Sequence, residues 1–455
     1  MNEMTWENKN PSLDKLREAL ANRNVQQVRA LVDTQHPADM AEWMESLNAQ
    51  ESLAFFRFLP KDTAAEFFAF LSLSEQKALI ADFNDEELVR LVDDLYVDDA
   101  VDLLEELPAN AVRSILDNAP ATKRSILNRY LLYPEESAAA AMSEEFVRLQ
   151  PEMTVEEAIG KLRHNRKKLA STSILYVTDR GRRLCGVLSI RELLQARDEK
   201  RIEEIMRTHI ISATTTDDQE DALDLIRKYS LLALPILDRE GRLVGVLTVD
   251  DALDISDEEA TEDFEIMAAI TPSEKTYFES SVLEQSKNRL PWLFVLLLSG
   301  MVTGFILGGF QDAFQANGLL VTFIPMLTGA GGNAGSQSST MIIRGLAMGE
   351  IKVNELLKVL WKELRISLLV GAGLALVCLL RVMLLNPGQT GTALVVALAV
   401  FFIIILAKLC GGLLPVLAKR IGLDPALMAA PLITTVVDAL GLLIYFSLAT
   451  VILKI

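Results

Sequence analysis

The sequence predicts a multidomain protein: an α-helical superhelical N-domain, a tandem α/β module, an acidic connecting helix and an all-α membrane domain of five transmembrane helices. Three observations predict it. Charge is segregated: residues 291–455 hold 6 of the 62 acidic and 10 of the 44 basic residues, leaving 56 acidic against 34 basic in 1–290, a net charge of −22. Two stretches about 60 residues apart repeat one pattern of short β-branched strands, turns and helices. Five apolar runs long enough to cross a bilayer crowd the C-terminal part. The resulting boundaries are 1–133, 134–255, 256–288 and 289–455.

In the first part, segments 39–47, 62–71 and 98–107 each open on an acid, continue in helix formers and end on Leu, as in a degenerate helical repeat stacked into a superhelix. Asp62 and Asp98 are expected as N-caps, with Pro60 and Pro108 marking helix ends. Glu66 and Asp102 hold equivalent places, and Asp98 and Asp102 lie four apart on one helical face. Such like charges repel by roughly 0.2–0.5 kcal/mol. The pair reads either as a solvated face or as a seat for a cation. An N-terminal half this acidic is a poor partner for nucleic acid and a good host for hard cations. The three cysteines, Cys185, Cys378 and Cys410, form neither a disulfide framework nor a zinc pattern. Met1-Asn2-Glu3-Met4 opens no apolar signal core.

The repeat begins near residue 140. Asp179 to Leu193, with Gly186-Val-Leu-Ser at its centre, recurs as Asp238 to Leu253 with Gly245-Val-Leu-Thr. Met142 corresponds to Met206, and Glu156-Glu-Ala158 to Glu220-Asp-Ala222. Strands are expected at 173–177, 187–190, 234–237 and 244–249. The paired pattern resembles tandem CBS domains, a regulatory module that often senses adenine nucleotides.

Nine acids between Asp250 and Glu265 follow, and Asp251, Asp254, Glu258, Glu262 and Glu265 keep a 3–4 spacing that places them on one helical face. Self-repulsion makes this a poor isolated helix when divalent cations are scarce. It reads as a solvated linker or as a sensor, and its tether to the membrane domain through Lys287-Asn-Arg289-Leu-Pro291 favours the sensor.

The apolar runs are 291–310, 319–343, 364–385, 391–418 and 425–453. Lys and Arg gather before the first, between the second and third, and between the fourth and fifth, and are missing from 311–318 and 386–390. The positive-inside rule then makes the N-terminal domains cytoplasmic and the C-terminus exoplasmic. Asp424 falls at the cytoplasmic mouth, and a continuous helix from it would carry Asp438 about 21 Å into the membrane. A carboxylate there costs at least about 2.5–3.5 kcal/mol unless it faces water, a partner or an ion. Thr434, four residues earlier, would share its face. The second run is interrupted by Gly329-Ala-Gly331-Gly332-Asn333-Ala-Gly335-Ser-Gln337. Close helix packing explains its glycines; Asn333 and Gln337, four apart, ask for a water-lined path.

Taken together, the helical N-domain, Tyr133-Pro134-Glu135-Glu136-Ser137-Ala138, the CBS pair, Glu259-Ala-Thr-Glu262-Asp263, Gly331-Gly-Asn-Ala-Gly335-Ser-Gln337 and Asp424-Pro425 through Asp438 resemble the MgtE family of magnesium channels and transporters over essentially the whole chain. The resemblance implies a homodimer in the bacterial inner membrane, not an enzyme. Its pore would run along the two-fold axis, with Asp438, Thr434, Asn333 and Gln337 as the pore ion-binding residues and Asp438 of both subunits binding hydrated Mg²⁺. It implies regulatory Mg²⁺ at Glu66, Asp98, Asp102, Asp251, Asp254, Glu259, Glu262, Asp263 and Asp424, holding a closed state. ATP or another adenine nucleotide at the CBS pair is a further expectation. Ser230 stands where many relatives carry Asp, and 138–141 is Ala-Ala-Ala-Ala where Ala-Gly-Arg-Leu is usual.

Other divalent cations on the same scaffold, Co²⁺, Mn²⁺ or Zn²⁺, are the alternative. No Cys or His flanks Asp438, which disfavours soft metals. An intramembrane metalloprotease would need His-Glu-x-x-His, yet His36, His164 and His209 all lie before the membrane runs. ATP-driven transport would need a Gly-x-x-x-x-Gly-Lys-Ser/Thr loop, which is missing.

Overall fold

A computed structural model describes residues 11–44, 46–105, 107–134, 136–164, 169, 173–273, 277–278, 280–310 and 317–454. The expectations on residues 1–4, on Glu135 and on most of the loop 311–318 lie outside the described residues. The chain divides into two compact units, Met1–Ser256 and Asp257–Ile455.

In the first unit, ten short helices run from α1 (Pro11–Ala21) to α10 (Ala121–Tyr130) among the described residues. Their apolar faces meet in a core that buries Met40, Phe55, Phe67, Phe68, Leu103 and Leu104, with Phe55 and Phe67 edge to face at 5.4 Å. Capping differs from expectation. Asn48, Ser72 and Asn84 cap α4 (Ala49–Phe58), α6 (Leu73–Ile80) and α7 (Asp85–Asp94), each in a capping box with Glu51, Glu75 or Glu87. Asp62 and Asp98 are not N-caps: each is the second residue of its helix, α5 (Lys61–Ala69) or α8 (Val97–Glu105). Pro60, Pro108 and Pro120 sit at N-cap positions and open helices rather than close them. A proline there gives up an N–H that the first turn would leave unpaired anyway.

The tandem module forms two three-stranded sheets, with α11 (Val155–His164) and α12 (Ile190–Gln195) in its first repeat. β1 (Arg148–Leu149) runs parallel to β2 (Ile174–Thr178), which pairs antiparallel with β3 (Leu184–Ser189). β4 (Ala213–Thr214), β5 (Ala233–Leu237) and β6 (Leu243–Thr248) repeat that order, with the register shift at the same place. The two-residue strands β1 and β4 were not foreseen, because two residues carry no periodicity. The two methionines change places relative to the repeat. Met206 covers Gly186 and Met142 covers Gly245, so that a Cβ at either glycine would overlap the sulfur. The bridges Ser143 to Val246 and Val187 to Arg207 accompany this exchange. Each repeat is thereby completed by a segment preceding the other. Ser230 ends α13 (Gln219–Tyr229) in the left-handed region, φ 51°, a conformation that Asp and Asn adopt more readily. Leu234, Leu247 and Ile255 of the second repeat share one core with the helical N-domain.

The acidic connector is not one helix over 256–288. α14 spans Val249–Met267, a left-handed Ala269 breaks it, and α15 (Val282–Gly309) starts ahead of the expected membrane boundary and passes through Pro291.

The remaining long helices of the second unit are α16 (Ile324–Ala347), α17 (Leu356–Leu385), α18 (Thr390–Arg420) and α19 (Ala430–Leu453). Among the described residues, α15, α17, α18 and α19 lie in stretches long and apolar enough to cross a membrane. The 24 residues of α16 reach about 36 Å, sufficient in length, but its glycines and hydroxyls keep it below that apolarity. α16 packs on α18 and α19 through glycine. A Cβ at Gly331 would stand 2.7 Å from Ile403 and 2.8 Å from Val437, and one at Gly335 2.6 Å from Ile433. A Cβ at Gly411 would overlap the Gly335 carbonyl oxygen and lie 3.1 Å from the Ser339 nitrogen, so backbone meets backbone there.

Gly411→Ala is expected to destabilise the membrane domain by about 1–3 kcal/mol through overpacking. Gly373→Ala, with nothing within 4 Å of its Cβ position, serves as control. Thermal unfolding in detergent checks this: equal midpoints for the two variants would show that the seam can yield.

Candidate functional site

The membrane acid is reached by a path that differs from the expected continuous helix. Asp424 caps a single 3₁₀ turn, Pro425–Met428, and its Oδ1 accepts from the Ala426 N–H at 2.7 Å. Ala429 is extended, φ −82° and ψ −167°, and α19 starts only at Ala430. Asp438 is the ninth residue of that 24-residue helix, about 12 Å from its start, rather than about 21 Å along one unbroken helix from Asp424. The prolines 425 and 431, each in a first turn, explain the two separate starts.

Asp438 Oδ1 is buried and accepts no hydrogen bond among the described residues. Buried carboxylate oxygens are ordinarily satisfied, so this one stands apart from the rest of the domain. Thr434 and Asp438 lie four apart on the one helix, as the spacing requires. The Thr434 Oγ1 donates to the Pro431 carbonyl at 2.9 Å, and its methyl lies 2.8 Å from where Gly332 would carry a Cβ. Asn333 and Gln337 are exposed, and with Gly329 and Thr340 they make one stripe on α16, opposite the buried Gly331, Gly332 and Gly335. The glycines foreseen as packing do pack, except the exposed Gly329.

The acids expected to take regulatory Mg²⁺ fall into two groups, one in each unit. In the first unit Asp98 turns inward, and its Oδ1 is buried without a hydrogen bond among the described residues. Burial first, then the charges of Asp99, Asp251 and Glu145, hold its carboxyl well above the usual carboxylate range. Burial also raises Asp251, with Asp250 and Asp254 adding to it and hydrogen bonds from Thr248 opposing. Thr248 Oγ1 donates to Asp251 Oδ2 at 2.6 Å. Glu66 is exposed, yet it is charged neighbour enough, after burial, to help push Tyr96 up to about 12. Asp102, one turn beyond Asp98, is exposed, so the two do not share a buried seat. Lys123 reaches the same neighbourhood, donating to the Leu95 carbonyl at 2.8 Å; burial lowers it while Glu145, Asp93 and Asp98 oppose.

In the second unit burial raises Asp263, with Asp424 and then Glu259 adding to it and Lys419 opposing. Asp263 of the connector and Asp424 at the 3₁₀ turn are therefore neighbours. Glu262 is half-buried on the same helix. Among the described residues no three His, Cys, Asp or Glu side chains are gathered closely enough to hold a metal ion.

Sequence reasoning missed a third polar group. Ser338 Oγ donates to Glu363 Oε2 at 2.6 Å and accepts from Lys408 Nζ at 3.2 Å, and all three side chains are buried. Lys408 alone, a cation inside the fourth apolar run, was the signal. Glu363 escaped because the third run was started at 364, whereas α17 begins at Leu356.

A glycine-packed polar helix, an unpartnered acid at membrane depth and an acidic domain built on a CBS pair define a membrane cation transporter with a regulatory module. Family models agree: the one described as a divalent cation transporter, MgtE, matches residues 324–448, the MgtE intracellular N domain matches 35–136, and CBS domains match 138–199 and 202–258. The chain belongs to the MgtE family. It is 38% identical to the magnesium transporter MgtE of Thermus thermophilus over 71% of each chain, and 35% identical to that of Bacillus subtilis over 72% of each. The soluble part of a magnesium transporter, 29% identical, superimposes with a TM-score of 0.53 over 55% of this chain and 98% of that one. The cytosolic domain of the Mg²⁺ channel MgtE in complex with ATP, 32% identical, gives 0.50 over 53% and 99%.

Because the folded chain holds the Asp98 proton more tightly than the unfolded chain does, stability falls as pH rises from about 3.9 through the raised value. Asp98→Asn removes that loss. The variant is expected to melt about 2–4 °C above wild type in EDTA at pH 7.5, with the advantage gone near pH 4. A melting curve identical to wild type at both pH values would show Asp98 already compensated.

Proposed function

We propose that the chain admits Mg²⁺ across the cytoplasmic membrane along a path that passes Asp438, and that Mg²⁺ on the cytoplasmic side closes that path. The unpartnered, buried Oδ1 of Asp438 carries the reading. Mg²⁺ prefers oxygen ligands and sheds water reluctantly, so a carboxylate touching its hydration shell suits it better than a cage of His and Cys. The exposed amides of Asn333 and Gln337 offer oxygen and N–H to such a shell. A second copy of the chain would set its own Asp438 opposite the first, and two carboxylates match one divalent charge.

Closure follows from electrostatics. Asp98 faces Asp99, Asp251 and Glu145, and Asp263 faces Asp424 and Glu259. With no cation present these groups repel; Glu66, Asp102, Asp254 and Glu262 add to the same field. A divalent cation shared within either group would replace repulsion with attraction and favour the arrangement that keeps them together. The buried orphan oxygen of Asp98 and the shared neighbourhood of Asp263 and Asp424 support these as cation seats. An adenine nucleotide at the CBS pair belongs to the same reading, as in the relative solved with ATP. No transport step depends on it.

Asp438→Ala is expected to abolish Mg²⁺ influx into proteoliposomes while the protein still folds and inserts. Influx at the wild-type rate would end the assignment of the path. Limited proteolysis tests closure: millimolar Mg²⁺ should protect residues 60–290 from cleavage, and a digestion pattern indifferent to Mg²⁺ would remove the sensing role.

A further inference from the structure

Among the described residues of the membrane domain, a buried cluster of a lysine, a serine and a glutamate stands outside the proposed path. Lys408 on α18 and Glu363 on α17 are buried, and Ser338 on α16 stands between them, accepting from Lys408 Nζ at 3.2 Å and donating to Glu363 Oε2 at 2.6 Å. Ionisable side chains at this depth are costly and persist where they serve something specific. A buried ion pair adds little net stability over an apolar replacement, and its best-attested use is to fix a register.

A register does need fixing here. The seam of α16 against α18 and α19 is made of Gly331, Gly332, Gly335 and Gly411 meeting methyl groups and backbone. Contacts of that kind admit only the glycine face, and hydrogen bonds add to them a direction that methyl and backbone contacts lack. Ser338 follows Gln337 directly and lies five residues from Asn333, so its direction sets the azimuth of both amides at 100° per residue. The neighbouring Ser339 Oγ donates to the Met428 carbonyl at 2.6 Å, joining the same part of α16 to the turn that Asp424 caps. Three helices and that turn are thus tied to two consecutive serines.

Resting on the permeation path assigned above, we propose that Lys408, Ser338 and Glu363 form a positioning triad: a serine-bridged ion pair within the membrane that fixes the rotation of α16 and so the placement of Asn333 and Gln337 toward the passing cation. The triad does not touch the ion. It acts through the helix that does.

The test is Mg²⁺ influx into proteoliposomes as a function of Mg²⁺ concentration. Glu363→Gln leaves Lys408 buried and uncompensated, and influx is expected to fall by about tenfold. Adding Lys408→Met restores charge balance, and influx should recover to within about threefold of wild type. Ser338→Ala removes only the bridge, and the half-saturating Mg²⁺ concentration should rise about threefold or more at unchanged protein in the membrane. A role in stability alone would lower maximal influx without moving that concentration. Wild-type influx in Glu363→Gln, or a double variant no better than the single one, overturns the proposal. If Glu363→Gln does not insert, Ser338→Ala decides: a shifted half-saturation supports the triad and an unchanged one overturns it. Influx through Asp438→Ala in any of these backgrounds would instead overturn the path itself.

Discussion

A low dielectric punishes any charge left without a counterpart, and this constraint organises both compact units. In the membrane domain it is met in two opposite ways. Glu363 and Lys408 compensate each other through the Ser338 hydroxyl, inside the protein. Asp438 keeps an oxygen that no described group satisfies. The first arrangement is closed and can serve as a fixed reference; the second leaves an oxygen open, as the proposed cation path requires. One domain could not use the same carboxylate for both tasks, because a partner good enough to hold α16 in register would occupy the oxygen a cation needs.

Outside the membrane the same physics works at longer range. Asp98 and Asp263 sit in unrelated local structures, one in the second position of a short helix and the other near the end of a long one. Both are raised first by burial and then by other acids, while Lys419 works against this at Asp263 and Lys123 reaches the neighbourhood of Asp98. Acids placed in this way store repulsion that a dication relieves more effectively than a monovalent ion. A net charge of −22 over residues 1–290 supplies the background field.

Much of this organisation was legible because it rests on long or repeated patterns. The two CBS repeats announce themselves through matching β-branched strands, and the sheets share one order and one register shift. The membrane runs stand out by apolarity, apart from α16, whose glycines and serines were read correctly as unusual. Smaller features escaped. Two-residue strands have no period to read. Proline as an N-cap looks in sequence like a helix stop. The reciprocal placement of Met142 on Gly245 and Met206 on Gly186 reverses the order in which the repeats are written.

Sequence by itself determined the domain order, the family and the identity of the intramembrane acid, since each follows from which residues are present and how far apart they lie along the chain. Tertiary structure alone decided which charges meet. Lys408 and Ser338 are 70 residues apart, Ser338 and Glu363 are 25 apart, and Asp424 acts on Asp263 from the far end of the domain. It also separated residues that spacing had paired, turning Asp98 inward and Asp102 outward. The reason is physical: burial and electrostatics depend on distance through space, and helices packed glycine to glycine bring together atoms that no periodicity along one helix relates.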